Sequence, residues 1–162
     1  MLIKVLLTII GLLFLIVLES FFNTLFSFSI IVMALLFLID KIEWRRWVLI
    51  AVLSTVLIDI LLLRPMGVTM LVLAIISLLL YILFLIVPKK EVILSYIPYL
   101  FAIWLFYILL DLSVPYLQDG VWGTISWESV LVDMVKSIIS TVIIYLINLL
   151  LSNFRSKEDL RL

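Results

Sequence analysis

Long apolar runs alternate with short polar or charged interruptions along the whole chain. A helix needs about 20 apolar residues to cross the roughly 30 Å of hydrocarbon in a bilayer. The runs are continuously apolar instead of alternating at every second position, which favours helices over barrel strands. The pattern predicts an all-α integral membrane protein, a bundle of six transmembrane helices. The predicted spans are residues 2–18, 22–39, 47–63, 66–87, 92–114 and 129–151.

These spans leave no room for a separate soluble domain. We therefore predict a single membrane domain over residues 1–152 and a short charged tail over residues 153–162. The first run lacks a small-residue cleavage pattern and is followed by further spans, so we interpret it as a retained helix and not as a signal peptide.

The basic residues are unequally divided between the two sides of the predicted bundle. Nine of the 11 Lys and Arg residues fall on one side, Arg64 falls on the other, and Lys136 lies within the last span. Because loops rich in Lys and Arg stay in the cytoplasm, this division predicts that both termini are cytoplasmic. It also favours an even number of spans.

Composition narrows the class of function. The chain of 162 residues is 67% apolar and 14% charged, whereas soluble domains are nearer 45–50% apolar and about 25% charged. A formal net charge of zero gives no electrostatic reason to expect nucleic acid as a partner. The absence of Cys and His removes the thiolate nucleophile and the commonest general base and metal ligand. We therefore predict a protein that is not an enzyme, with no metal, cofactor or catalytic residues.

Charged residues inside the predicted spans need a reason, because each costs roughly 2.5–3.5 kcal/mol at a helix centre. Asp59 lies about 6 Å from the end of the third predicted helix, and Lys136 about 10 Å from the start of the sixth. Both of these helix ends are on the outer side, so the two depths are similar. We therefore predict that these two side chains pair. Asp133, three residues before Lys136, can also pair with it locally on the same helix. The predicted intramembrane polar cluster consists of Glu19, Asp59, Arg64, Asp133 and Lys136.

Small and polar residues recur every three or four positions beside these charges, so we expect their stripes to face the protein interior. In the third span the stripe is Ala51, Thr55 and Asp59, and in the sixth it is Asp133, Ser137, Ser140, Thr141, Ile144 and Asn148. Three roles remain open for the cluster. It could fix helix register, which is the favoured interpretation, bind a ligand or ion, or dock a partner's transmembrane helix.

The longest outer loop, residues 115–126, combines aromatic and turn residues, with Trp122 inside it and Trp127 just after it. Such rings favour the membrane interface, so we expect this loop to lie along the surface, as a plain connection or as a partner contact. Ser126 is the predicted N-cap of the last helix, with Glu128 in its first turn.

The stretch from Asp59 to Gly67 resembles the signature of the rod shape-determining protein MreD family. In that family, a helix with an acidic residue near its end is followed by a short outer turn and a Pro-Leu-Gly-like step. Here Pro65 and Gly67 follow Asp59 by six and eight residues. The acidic residue Glu19, the Phe-rich segment after it, the span count and the orientation are also similar.

The resemblance implies a non-enzymatic subunit of the bacterial elongation machinery (elongasome) in the inner membrane. MreD-like proteins bind MreC directly. Through it they act with the MreB filament, the RodA glycosyltransferase and a class-B penicillin-binding transpeptidase to direct peptidoglycan synthesis and maintain cell shape.

The alternative is a substrate-binding subunit similar to the S components of energy-coupling-factor vitamin transporters, which are also small six-helix proteins. In that case the outer polar cluster would line a solute pocket. A third possibility, a small membrane transferase, lacks a candidate acid and base pair.

Overall fold

The computed structural model describes residues 14, 16–25, 28–39, 41–87 and 94–159, and the side chains of the last helix are described up to Leu150. This part of the chain is helical and contains no strand, which confirms the all-α class. The helices are α1 (Ile16–Leu25), α2 (Ile30–Leu38), α3 (Trp44–Leu61), α4 (Val68–Ile86), α5 (Ile97–Asp119) and α6 (Trp127–Asp159), with a 3-10 turn at Leu94–Tyr96 before α5.

Three of these helices are long and apolar enough to cross a membrane: α4, α5 and α6 as far as Leu150. α1 and α2 meet at 115° and together could form one further span. α3 has 18 residues but carries Arg45, Arg46 and Asp59. The described residues therefore indicate a helical membrane protein, whereas six spans and cytoplasmic termini stay predictions. Most of the predicted first span lies outside the described residues.

Several helix boundaries differ from the predicted ones. α1 continues through Glu19 to Leu25, so the break before α2 comes later than the polar residues at 19–20 indicated. α5 runs through Pro115 to Asp119 instead of ending at Val114. Proline removes the helical hydrogen bond to the carbonyl of Asp111, yet α5 continues for one more turn beyond it. α6 continues as helix into the predicted tail.

The core is built around α5, which packs between α4 and α6. Residues spaced by four along α4 and α5 are buried against each other, because this spacing puts them on one helix face. They are Val72, Ile76 and Leu80 on α4, and Ala102, Phe106 and Leu110 on α5. In lipid such helices associate through close van der Waals contact and interhelical hydrogen bonds.

Two side chains fix the bundle at the end where α3 and α5 begin. Trp47 Nε1 donates to the carbonyl of Leu35, 2.8 Å away, and joins α3 to α2. Asn148 Nδ2 on α6 donates to the Tyr96 hydroxyl before α5, at 3.0 Å. We call this the Lys41 end of the bundle. The opposite end, with the α3–α4 turn and the α5–α6 loop, is the Arg64 end; Gln118 Nε2 donates there to the carbonyl of Leu63 at 3.4 Å.

Candidate functional site

The Asp59 side chain joins the end of α3 to the start of α4. Its Oδ2 accepts a hydrogen bond from the Gly67 backbone N–H at 2.8 Å. Its Oδ1 accepts from both the backbone N–H and the hydroxyl of Thr69, at 3.3 and 2.5 Å. A carboxylate is favourable there because the first N–H groups of a helix have no intrahelical acceptor and carry partial positive charge. We call Asp59, Gly67 and Thr69 the Asp59 network.

The backbone of the same turn closes the C-terminus of α3. Arg64 N–H donates to the carbonyl of Asp59 at 2.9 Å, and Leu63 N–H donates to that of Ile60 at 3.3 Å. This pair of bonds is a Schellman motif, in which the residue after the C-cap adopts a left-handed conformation. Leu63 does so, with φ of 52°, and Gly67 has φ of 90° at the N-cap of α4. Asp59 thus closes one helix with its carbonyl and starts the next with its carboxylate.

Glu19 joins α1 to the start of α2 through its carboxylate in the same way. Its two carboxylate oxygens accept from the Ser29 hydroxyl at 2.5 Å and from the Ile31 backbone N–H at 3.0 Å. The Ser29 hydroxyl oxygen also accepts from Val32 N–H at 3.3 Å and caps α2. Glu19 is 1% exposed, so its carboxyl oxygens are hydrogen-bonded by these donors and not by bulk water. We call Glu19, Ser29 and Ile31 the Glu19 network.

The two networks share a spacing. In each, the hydroxyl that donates to the acid lies ten residues after it: Ser29 after Glu19, and Thr69 after Asp59. The hydroxyl residues were not identified from the sequence as site residues. An acid followed at ten residues by Ser or Thr, with a helix break between them, is the pattern that could have identified them.

Tyr107 on α5 lies between the Glu19 network and α6. Its hydroxyl oxygen accepts from Ser29 N–H at 3.1 Å, and Lys136 Nζ lies 5.1 Å from the centre of its ring. The charges of Glu19 and Asp133 also act on the phenol. No sequence feature distinguishes Tyr107 from the other aromatic residues of the predicted fifth span.

The Asp59–Lys136 pair predicted from depth is not found among the described residues, whereas the predicted local pair of Asp133 and Lys136 is confirmed. Lys136 Nζ lies 2.8 Å from Asp133 Oδ1, one turn earlier on α6, and Asp133 is 2% exposed. Both Asp59 oxygens are occupied by the α4 N-terminus. Depth alone could not predict this outcome, because the carboxylate could reach three backbone and hydroxyl donors within its own hairpin.

The charges of three acids on three different helices, Asp59, Asp111 and Glu19, act on the Arg64 guanidinium. Burial lowers the pKa of its guanidinium, and these carboxylates oppose that shift, so Arg64 keeps its charge. Asp111 also lies close enough to interact with Asp133. Sequence reasoning missed Asp111, although an acid near the end of the predicted fifth span was visible.

The inward-facing stripes agree with the prediction. Thr55 and Asp59 on α3, and Ser137 and Ser140 on α6, are each 0% exposed. The hydroxyls of Thr55, Ser137 and Ser140 donate to carbonyls in the preceding turn, at 2.7 Å for Thr55 to Ala51. Within the described part of the chain, every buried polar side-chain atom has a partner, and no group of three or more acids could hold a metal ion. These contacts favour the structural role among the three that the sequence left open.

The α5–α6 loop packs closely on α5 at Gly123. A Cβ added there would overlap the carbonyl oxygen of Asp111, the carbonyl that Pro115 leaves without its helical donor. The loop is also held by Tyr116 and Trp122, whose rings stack with centroids 4.2 Å apart. The predicted cap at Ser126 is confirmed, since its hydroxyl accepts from Ser129 N–H at 3.1 Å.

Replacing Gly123 by Ala should detach this loop from α5. The added methyl group has to displace backbone, and overpacking of this kind costs about 1–3 kcal/mol. We expect faster proteolysis within residues 120–126 and a shifted Trp122 emission in the purified protein. Thr124→Ala, at an exposed position in the same loop, is the control and should leave both unchanged. Equal behaviour of the two variants would contradict the close contact.

A scan against protein-family models finds no match to this chain, and searches of curated proteins and of solved structures find no similar protein.

Proposed function

We propose that the protein is a non-enzymatic scaffold subunit of the bacterial rod complex, similar to MreD, in the bacterial cytoplasmic membrane. Its direct partner would be MreC, and through MreC it would act with MreB, RodA and a class-B penicillin-binding transpeptidase. In that role it helps to direct peptidoglycan synthesis along a rod-shaped cell.

The Asp59 network is the observation that carries the proposal. The residues that resemble the family signature are Asp59, Pro65 and Gly67. Asp59 bonds directly to the Gly67 N–H, and Pro65 lies in the turn between them. The left-handed φ of Gly67 and the buried carboxylate give the spacing a physical reason. Because the signature residues lie in one hydrogen-bonded turn, the resemblance supports family membership more strongly than hydropathy alone.

The remaining polar groups also support a scaffold. Glu19 and Asp59 accept from helix N-termini and Asp133 pairs with Lys136, so these acids stabilise helix ends and register. A scaffold needs such a fixed arrangement, because its partner has to meet a constant surface. Buried polar contacts between helices supply this specificity.

Purification of the tagged, full-length protein from its own cells tests the proposal. MreC should co-purify in a constant ratio, and an unrelated tagged membrane protein from the same cells should not recover it. Depletion of the protein should give rounded cells. A bound vitamin or an ATPase-coupled transmembrane partner, with rod shape kept after depletion, would instead identify the transporter subunit.

A further inference from the structure

An apolar groove of about 710 Å³ runs between α3 and α4. It extends along α4 from Met70 to Phe84, about 21 Å at 1.5 Å per residue. On α3 it is limited to the half nearest the Lys41 end, from Trp44 to Val52. Small side chains, including Ala51 and Ala74, leave its middle open.

Positive charge lies where the groove reaches the Lys41 end. Arg45 is three and seven residues before Val48 and Val52, which line the groove, so it shares their helix face. Lys41 and Arg45 are exposed and have no acidic partner among the described residues; the exposed Arg46 pairs loosely with Glu43 at 3.7 Å. The first turn of α3 adds to the positive electrostatic potential there, because no side chain caps its N–H groups.

Two polar groups in the groove wall have no hydrogen-bond partner within the described part of the chain. They are the hydroxyl of Tyr81, 65% exposed on α4, and the indole N–H of Trp44, which is stacked on Trp47 with ring centroids 5.2 Å apart. Tyr81 lies five residues from the end of α4, about 7.5 Å below it. The Tyr81 hydroxyl lies at a depth that suits donation to an ester carbonyl of a lipid. The Trp44 indole N–H lies beside the basic residues, where it suits donation to a phosphate oxygen.

The geometry points to a binding site for an anionic phospholipid. One acyl chain occupies the α3–α4 groove, and the phosphate headgroup lies against Lys41, Arg45 and the Trp44 indole. Basic pockets between transmembrane helices recognise such headgroups, and each nearby Lys or Arg contributes to the attraction. A partner's transmembrane helix would need about 30 Å of continuous surface, whereas this groove extends about 21 Å along α4 and covers only half of α3.

Native mass spectrometry of the full-length protein with phosphatidylglycerol and phosphatidylcholine tests the site. We expect phosphatidylglycerol to bind at least about tenfold more tightly, as two basic side chains near a headgroup allow. The double variant Lys41→Gln/Arg45→Gln should lose this preference, and both positions are exposed, so the fold should tolerate it. Ala74→Phe should fill the groove and reduce binding of either lipid. Ala34→Phe, at an exposed position of α2 outside the groove, is the matched control and should bind normally.

Equal affinity for the two lipids, or equal lipid binding by the Ala74 and Ala34 variants, would overturn the proposal. A photo-crosslinking residue at Leu78, in the groove wall, gives an independent readout in cells. Crosslinks to lipid support the site, and crosslinks to a single protein would assign the groove to a partner's helix. Neither result depends on whether MreC is recovered.

Discussion

Replacing Asp59 by Ala is expected to lower the free energy of unfolding by about 3 kcal/mol. The substitution removes the acceptor of three donors, the Gly67 N–H and the N–H and hydroxyl of Thr69. A buried donor left without an acceptor costs about 1–3 kcal/mol, and measured interhelical bonds in membranes are at the lower end of such values. Because the α4 N-terminus is fixed by this carboxylate, α4 should also lose its position relative to α3.

Equilibrium unfolding in mixed micelles would measure this loss. Thr69→Val removes only the hydroxyl and should cost about 1 kcal/mol. Asp119→Asn, at an exposed acid at the end of α5, is the control for lost negative charge and should change little. If the Asp59 and Asp119 variants were equally stable, the Asp59 network would contribute nothing to the fold.

Charge reversal separates this network from the ion pair that depth alone predicts. Asp59→Lys combined with Lys136→Asp exchanges the two charges and would keep any direct ion pair between positions 59 and 136. It should not restore stability here, because a lysine at position 59 cannot accept from Gly67 and would place positive charge at a helix N-terminus. Rescue by the double variant would show that the two side chains do pair.

Hydropathy predicted the class of this protein because lipid requires long apolar helices, and α4, α5 and α6 have that character. It failed at boundaries where a polar residue has an internal partner. As a charged residue after an apolar run, Glu19 predicts the end of a helix. Its carboxylate instead bonds to Ser29 and Ile31, and α1 continues past it. Pro115 predicts the end of the fifth helix, but α5 continues through it to Asp119 with the loss of one backbone hydrogen bond.

Part of the polar site was also predictable, since acids are too costly in lipid to occur without a role. The sequence could identify Asp59 and Asp133, and the local pair of Asp133 with Lys136, but not the partners of Asp59. A carboxylate can bond to any donor within reach. Backbone N–H groups at a helix start are such donors whatever the sequence, so no residue type identifies them. Tyr107 could not be identified because its hydroxyl accepts from the N–H of Ser29, and the position of this N-cap of α2 is not evident from the sequence.

Replacing Glu19 by Ala is expected to destabilise the start of α2, by about 2–3 kcal/mol. It leaves the buried N–H of Ile31 without an acceptor and frees the Ser29 hydroxyl. Hydrogen exchange of peptides covering Ile30–Leu38 should speed up in the purified protein. Ser20→Ala, at the exposed neighbouring position, should leave exchange unchanged, and matching rates in both variants would contradict a role for Glu19.

Double-mutant cycles then test whether the Arg64 end is one unit or two. Tyr107→Phe removes the acceptor of Ser29 N–H, so it shares a partner with Glu19 and should couple to Glu19→Ala by more than about 0.5 kcal/mol. Thr69→Val belongs to the Asp59 network, shares no donor with Glu19, and should add independently within about 0.5 kcal/mol. Equal coupling in both cycles would mean that the Glu19 and Asp59 networks form a single cooperative network through Arg64, on which the charges of both acids act.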